Sequence, residues 1–164
     1  MPKPTTTYIS LGSNIGDRKK NIVKACDALS SAGVKVIKLS SFYLTSPIGP
    51  KQRDFINAAA KCQTRLAPRE LLIECKRIEK EMGRKLDAKR NSPRIIDLDI
   101  LLYGNKKVKT ASLTIPHPQM QNRRFVLEPL AEIAPHLIHP TIRKRVSTLR
   151  KALLSDTSQK IKKL

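Results

Sequence analysis

The 164-residue sequence has no tryptophan and only three phenylalanines and three tyrosines, so 4% of it is aromatic. That is too little for a platform on which nucleic-acid bases stack. Acidic residues are also scarce: 13 Asp and Glu stand against 33 Lys and Arg, a formal net charge of +20. Cysteine is limited to Cys26, Cys62 and Cys75, an odd number, widely spaced, with no Cys-x-x-Cys or Cys/His cluster. This excludes a disulfide framework and a zinc site, and it predicts reduced, mostly buried thiols in a cytosolic protein. No apolar run approaches a membrane span, and the first residues lack the apolar stretch of a signal peptide. No internal repeat at solenoid or propeller periods is present.

What is there fits one domain, residues 1–164, with 40% hydrophobic content to build a core. The excess positive charge has two readings, a nucleic-acid surface or a site for a polyanionic small molecule such as ATP. No aromatic-rich Lys/Arg-Gly-Phe run supports the first, so no specific nucleic acid is expected as a partner. The Lys-rich end, from about residue 155, is expected to fray.

The most apolar stretch is Ile95-Ile96-Asp97-Leu98-Asp99-Ile100-Leu101-Leu102-Tyr103-Gly104, and it holds two acids. In a strand, Asp97 and Asp99 point one way, and Ile96, Leu98, Ile100 and Leu102 share the opposite, core-facing side. Two carboxylates about 7 Å apart along a strand can hold one ion or adjacent ions. Leaving them buried and unpaired would be costly. Arg84, Lys85, Lys89, Arg90 and Arg94 lie just upstream, so a salt-bridged acid face is the plainer alternative to a metal–phosphate site.

Before that stretch, residues 8–11 read as a strand that turns through Gly12 and Gly16 into a helix ending at Gly33, with Asn14 or Asp17 as cap. Gly12 and Gly16 lack the Lys-Ser/Thr of a P-loop and the third glycine of a dinucleotide fingerprint. Residues 34–43 predict a second strand, and Pro47, Gly49 and Pro50 then enforce a loop. Residues 55–64 are alanine-rich but are assigned to a strand, because the strand before them needs a partner. Pro68 opens a helix that Gly83 ends. After the Asp-x-Asp strand come a short hairpin over 108–115, a helix from about Asn122 through Ile133, and a last helix around 142–154. The order strand, helix, strand, strand, helix, strand predicts an α+β fold: a ferredoxin-like βαββαβ antiparallel sheet with helices on one face, an extra hairpin and C-terminal helices.

Several ordered motifs then meet one pattern. Leu11-Gly12-Ser13-Asn14, Pro47-Ile48-Gly49-Pro50, Asp54-Phe55-Ile56-Asn57, Pro93-Arg94-Ile95-Ile96-Asp97-Leu98-Asp99-Ile100, Pro116-His117 and Asn122-Arg123 with Phe125 follow one another from about residue 8 to 140. In these residues the chain resembles the 6-hydroxymethyl-7,8-dihydropterin pyrophosphokinase family. The resemblance implies transfer of diphosphate from ATP to the pterin hydroxymethyl group, in folate biosynthesis, by a cytoplasmic monomer. It implies that Asp97 and Asp99 coordinate two Mg²⁺ ions, with Arg84 and Arg94 holding phosphates beside them. ATP would meet Glu79, Arg84, Arg94, Ile100, Thr114, His117 and Arg123. The pterin would meet Thr45, Pro47, Ile48, Phe55, Asn57, Asp97 and Phe125. Asn91 departs from a tryptophan usual in the family, Leu86 and Ser112 from basic residues, and Pro118 from a tyrosine. Lys85, Lys89 or Arg90 are therefore expected to supply lid contacts over the site.

Overall fold

A computed structural model describes residues 3–84 and 91–164. Lys85, Lys89 and Arg90, expected to supply lid contacts, and Leu86 lie outside the described residues.

The N-terminal strand β1 (Thr5–Ser13) leads into helix α1 (Arg18–Ser31). Asp17 caps that helix, its carboxylate accepting the Lys20 N–H at 3.1 Å. Strands β2 (Val34–Leu39), β3 (Tyr43–Thr45) and β4 (Phe55–Thr64) follow, then α2 (Pro68–Glu81), where Pro68 opens the first turn and the Glu70 carboxylate accepts the Ala67 N–H. Next come β5 (Asp97–Tyr103), the hairpin β6 (Val108–Lys109) and β7 (Thr114–Ile115), α3 (Arg124–Ile133), α4 (Val146–Ala152) and β8 (Ile161–Lys163).

The sheet runs β5-β1-β4-β3-β8, with β2 also paired to β4 and every pairing antiparallel. Its first four segments give the ferredoxin-like order expected from the sequence. The single strand expected over residues 34–43 is instead β2 and β3, which pair with opposite ends of β4. The break falls at Ser40, whose hydroxyl accepts the Ala59 N–H at 2.9 Å in place of a ladder carbonyl.

The two helices of the βαββαβ plan, α1 and α2, pack on one face as expected, and the C-terminal helices α3 and α4 cover part of the other. Ile9 and Leu11 of β1, Ala58 and Ala60 of β4, and Leu98 and Ile100 of β5 meet Ile22 and Leu29 of α1 and Leu71, Cys75 and Ile78 of α2. Tyr8, Ala59, Leu101 and Leu102 meet Val126, Leu127 and Leu130 of α3 and Val146 and Leu149 of α4. Burial on this scale stabilises by roughly 1.5–3 kcal/mol per large aliphatic side chain. Leu102 is a correction: it does not share a face with Leu98 and Ile100. The β1–β5 register shifts between Tyr8 and Ile9, so one extra residue in β5 turns Leu102 toward α3.

The expected frayed tail is a second correction. Beyond α4 the chain returns and β8 pairs with β3, Tyr43 opposite Lys163 and Thr45 opposite Ile161. Backbone pairing orders these residues where composition alone gave no reason for it. Among the described residues no helix is long and apolar enough to cross a membrane.

Candidate active site

On the face shared by α3 and α4 the helices stop short of one end of the sheet, and a pocket of about 330 Å³ opens there. Its floor is the same-face row of three strands: Ser10 and Gly12 of β1, Phe55 and Asn57 of β4, and Asp97 and Asp99 of β5. Alternation therefore brings the two acids to the pocket, while Leu98 between them is buried against the helices on the other side.

The acidic end is held by a set of ionic contacts. Arg84 Nη1 donates to Glu79 Oε1 at 2.8 Å and to Asp97 Oδ1 at 3.2 Å. Glu79 is buried at 1% exposure, and its other oxygen, Oε2, accepts the Leu98 N–H at 2.8 Å. Burial pushes the Glu79 carboxyl up, and the Leu98 hydrogen bond opposes that shift. Burial, then the negative charges of Asp97 and Glu79, pushes Asp99 up to about 7. Asp99 is thus a carboxylate whose ionised form its surroundings disfavour. Among the described residues there is no cluster of three or more His, Cys, Asp or Glu for a metal. Two carboxylates are nevertheless what a Mg²⁺ ion needs when phosphates and waters complete its shell.

Cationic groups ring the acids. Arg94, Arg123 and Lys76 line the same pocket, and Lys76 Nζ lies 3.4 Å from Glu79 Oε1. Asn14 fixes the backbone of Arg94 twice: its N–H donates to the Arg94 carbonyl at 2.9 Å, and its Oδ1 accepts the Arg94 N–H at 2.7 Å. The Arg94 Nη1 donates to Ser92 Oγ at 2.5 Å. His117 is pushed down to about 4, first by burial and then by the charge of Arg123, with Asp97 opposing. Its Nδ1 accepts the Gln119 N–H at 3.1 Å, so the neutral ring carries its proton on Nε2. His117 also walls a neighbouring hollow of about 340 Å³, which includes Thr114 and Lys107.

The other end of the pocket is flatter and more neutral. Phe55 and Phe125 both line it, and the Arg123 guanidinium carbon sits 5.6 Å from the Phe125 ring centroid. Asn57 Nδ2 donates to Thr45 Oγ1 at 2.6 Å. A Cβ at Gly12 would lie 2.5 Å from Asn57 Oδ1, so only glycine lets that amide take its place. Gln52 joins the loop after β3 to the strand approach of β5, Nε2 donating to the Asn91 carbonyl at 2.8 Å, while Asn14 Nδ2 donates to Gln52 Oε1.

The pocket thus gathers Thr45, Ile48, Phe55, Asn57, Arg84, Arg94, Asp97, Asp99, His117, Arg123 and Phe125 of the residues singled out from the sequence. Pro47 and Glu79 are not in its lining, Thr114 lies in the adjoining hollow, and the Ile100 side chain points into the α1–α2 core. Lys76, Gln52 and Gln159 line it without having been foreseen. For Lys76 a signal existed: it stands three residues before Glu79 on one helix face. The three cysteines are free and belong elsewhere. Burial pushes the Cys62 and Cys75 thiols up to about 12, which makes them inert packing groups.

Comparison with known proteins bears on this site. Residues 8–135 match the family described as 7,8-dihydro-6-hydroxymethylpterin-pyrophosphokinase. The chain is 46% identical over 137 residues to the 2-amino-4-hydroxy-6-hydroxymethyldihydropteridine pyrophosphokinase of Haemophilus influenzae, covering 82% of this chain and 85% of that protein. It is 48% identical over 134 residues to the folic acid synthesis protein fol1 of Pneumocystis carinii, covering 81% of this chain but 18% of that longer protein. A crystal structure described as HPPK-DHPS in complex with substrates superposes with a TM-score of 0.76 over 93% of this chain and 44% of that one, at 15% identity, a likeness of fold.

Proposed function

The chain belongs to the 7,8-dihydro-6-hydroxymethylpterin-pyrophosphokinase family, and on that premise we propose that its pocket transfers diphosphate from ATP to the hydroxymethyl group of 6-hydroxymethyl-7,8-dihydropterin, a step of folate biosynthesis. The hydroxymethyl oxygen attacks the β-phosphorus, the bond from that phosphorus to the α–β bridging oxygen breaks, and AMP leaves. One observation carries this reading: a pair of carboxylates, Asp97 and Asp99, shares a pocket with Arg84, Arg94 and Arg123 at one end and Phe55 with Phe125 at the other. A triphosphate suits the first end and a flat heterocycle the second.

Asp97 and Asp99 would hold two Mg²⁺ ions, which when bound neutralise phosphate charge and align the reacting oxygens. The protein's own groups do the rest. Arg94, its backbone clamped by Asn14, and Arg84, oriented by Glu79, offer forked donors to phosphate oxygens. Neutral His117 donates from Nε2 to an anionic oxygen without adding charge that Arg123 already provides. Glu79 acts as a positioning residue behind the pocket rather than as an ATP contact. Leu98 N–H lies on the outer edge of β5, and by strand parity the Ile100 backbone shares that edge, so a nucleotide contact at Ile100 is made by its main chain. Thr114 and the hollow beyond His117 would take the nucleoside end. Phe55 and Phe125 supply flat faces for the pterin, Thr45, Pro47 and Ile48 the wall above it, and Asn57 the amide that reads its polar edge.

The reading carries further expectations: a single pyrophosphokinase domain over residues 1–164, working as a monomer in the cytoplasm. Light scattering and cell fractionation check the last two. The site is tested by calorimetric titration of a non-hydrolysable ATP analogue with and without Mg²⁺, followed by 6-hydroxymethylpterin. Pterin binding that tightens only after Mg²⁺ and nucleotide, and disappears in Asp97→Ala, is expected. Equal pterin binding with and without Mg²⁺-nucleotide contradicts it.

A further inference from the structure

We propose that Gln159, delivered by the C-terminal strand, is a pterin-binding residue whose side-chain oxygen accepts an N–H of the ring's polar edge. This deepens the assignment above and rests on it. The matched family region ends at residue 135, so this residue lies outside the part of the chain that the family describes.

Three observations converge. First, the segment is fastened at the pocket. Ser46 N–H donates to the Lys160 carbonyl at 3.0 Å, Lys160 N–H donates to Ser46 Oγ at 2.9 Å, and the Leu164 N–H donates to the Phe42 carbonyl at 2.9 Å. Second, Gln159 is itself buried, at 9% exposure, and lines the pocket beside Ser46 and Thr45. A buried amide must satisfy both ends. Its Nε2 donates to the Ser46 carbonyl at 3.0 Å, which fixes which end of the amide is which. Oε1 accepts no hydrogen bond among the described residues, yet it is not sealed in as a buried orphan. It is therefore the acceptor that this wall offers to an occupant of the pocket.

Third, the neighbours identify the occupant. Ser46 follows Thr45, whose hydroxyl accepts from Asn57 Nδ2 at 2.6 Å, so Gln159 stands at the neutral end of the pocket and away from the carboxylates. A phosphate offers only acceptors at neutral pH and has nothing to give Oε1. An aminopyrimidine edge carries N–H donors and has. Gln159 thus discriminates ring chemistry rather than binding ATP.

The test uses the full chain with two length-preserving changes. Gln159→Met removes both polar atoms, and Gln159→Glu keeps an acceptor at the same reach. Michaelis constants for pterin and ATP are measured with kcat, and the thermal midpoint checks folding. We expect Gln159→Met to raise the pterin KM about five- to tenfold, with the ATP KM and kcat within about twofold. Gln159→Glu is expected to recover most of that loss. An unchanged pterin KM in Gln159→Met overturns the proposal. So does a parallel rise for both substrates or a failure to fold, which would make the residue a structural wall, and so does a Glu variant no better than Met. If the wild-type chain turns over no pterin, the functional assignment beneath the proposal fails first, and the wild-type control tells the two failures apart.

Discussion

Glu79 Oε2 accepts the backbone N–H of Leu98 at 2.8 Å, tying the last turn of helix α2 to the one residue between the two site acids. β5 is the edge strand of the sheet, so its outward N–H groups have no strand partner. Glu79 fills that gap at Leu98 and meets Arg84 with its other oxygen. Replacing Glu79 by Ala leaves the Leu98 N–H unpaired and strips the half-buried Arg84 guanidinium of one of its two carboxylate partners, Asp97 remaining. The expected loss is about 2–4 kcal/mol in urea unfolding, with a fall in kcat larger than any change in pterin KM.

Gly12 makes a second, steric demand. Gly12→Ala would drive a methyl group into Asn57 Oδ1, which faces it at 2.5 Å from the ideal Cβ position. Asn57 must then leave Thr45. We expect a destabilisation of about 1–3 kcal/mol and weaker pterin binding, while the ATP-analogue affinity measured by titration stays near wild type.

The legibility of the site in the sequence follows the same physics. Strand alternation placed Asp97 and Asp99 on one face and Leu98 on the other, because a two-residue period survives in any regular strand. It failed at Leu102, where a register shift set by the partner strand moves one residue, and a single-chain pattern cannot reveal that. The break at Ser40 is likewise a tertiary event, since its hydroxyl replaces a carbonyl only when β4 lies beside it. The C-terminal strand stayed hidden because Ile161–Lys163 has one apolar residue, no periodicity and pairs through its backbone. Gln159 was missed with it. Glu79 was singled out by resemblance for the nucleotide site, and its burial behind β5 with its hydrogen bond to the Leu98 N–H is a tertiary arrangement that the residue pattern of α2 does not reveal.

His117 gives a pH signature. Its pKa in the folded chain is about 4, below the ordinary 6.5, because burial and Arg123 disfavour the imidazolium against the opposing pull of Asp97. Between these values the unfolded chain binds the proton and the folded chain does not. Stability therefore falls as pH drops from about 6.5 to 4, with this residue contributing a slope of about 1.4 kcal/mol per pH unit. In His117→Asn that part of the slope should vanish in urea unfolding measured across the window, where an unchanged slope would show that the ring is not held neutral.

The acid pair should behave as one cation-holding unit. Asp97→Asn and Asp99→Asn are each expected to lower kcat by at least about 10²-fold, and to abolish the Mg²⁺ dependence of ATP-analogue binding in titration. Asp99→Asn alone should also raise the thermal midpoint of the metal-free protein above pH 7. It removes a carboxylate that burial, Asp97 and Glu79 hold up at about 7, and whose ionisation is a cost to the empty fold.

The most direct measurement is product identity. The purified chain is incubated with ATP, Mg²⁺ and 6-hydroxymethyl-7,8-dihydropterin, and the phosphorus products are resolved by ³¹P nuclear magnetic resonance. Attack at the β-phosphorus predicts AMP and pterin diphosphate in equal amounts, absent without Mg²⁺ and absent in Asp97→Asn. Formation of ADP with a pterin monophosphate, or no phosphorus transfer to the pterin, would contradict the assignment.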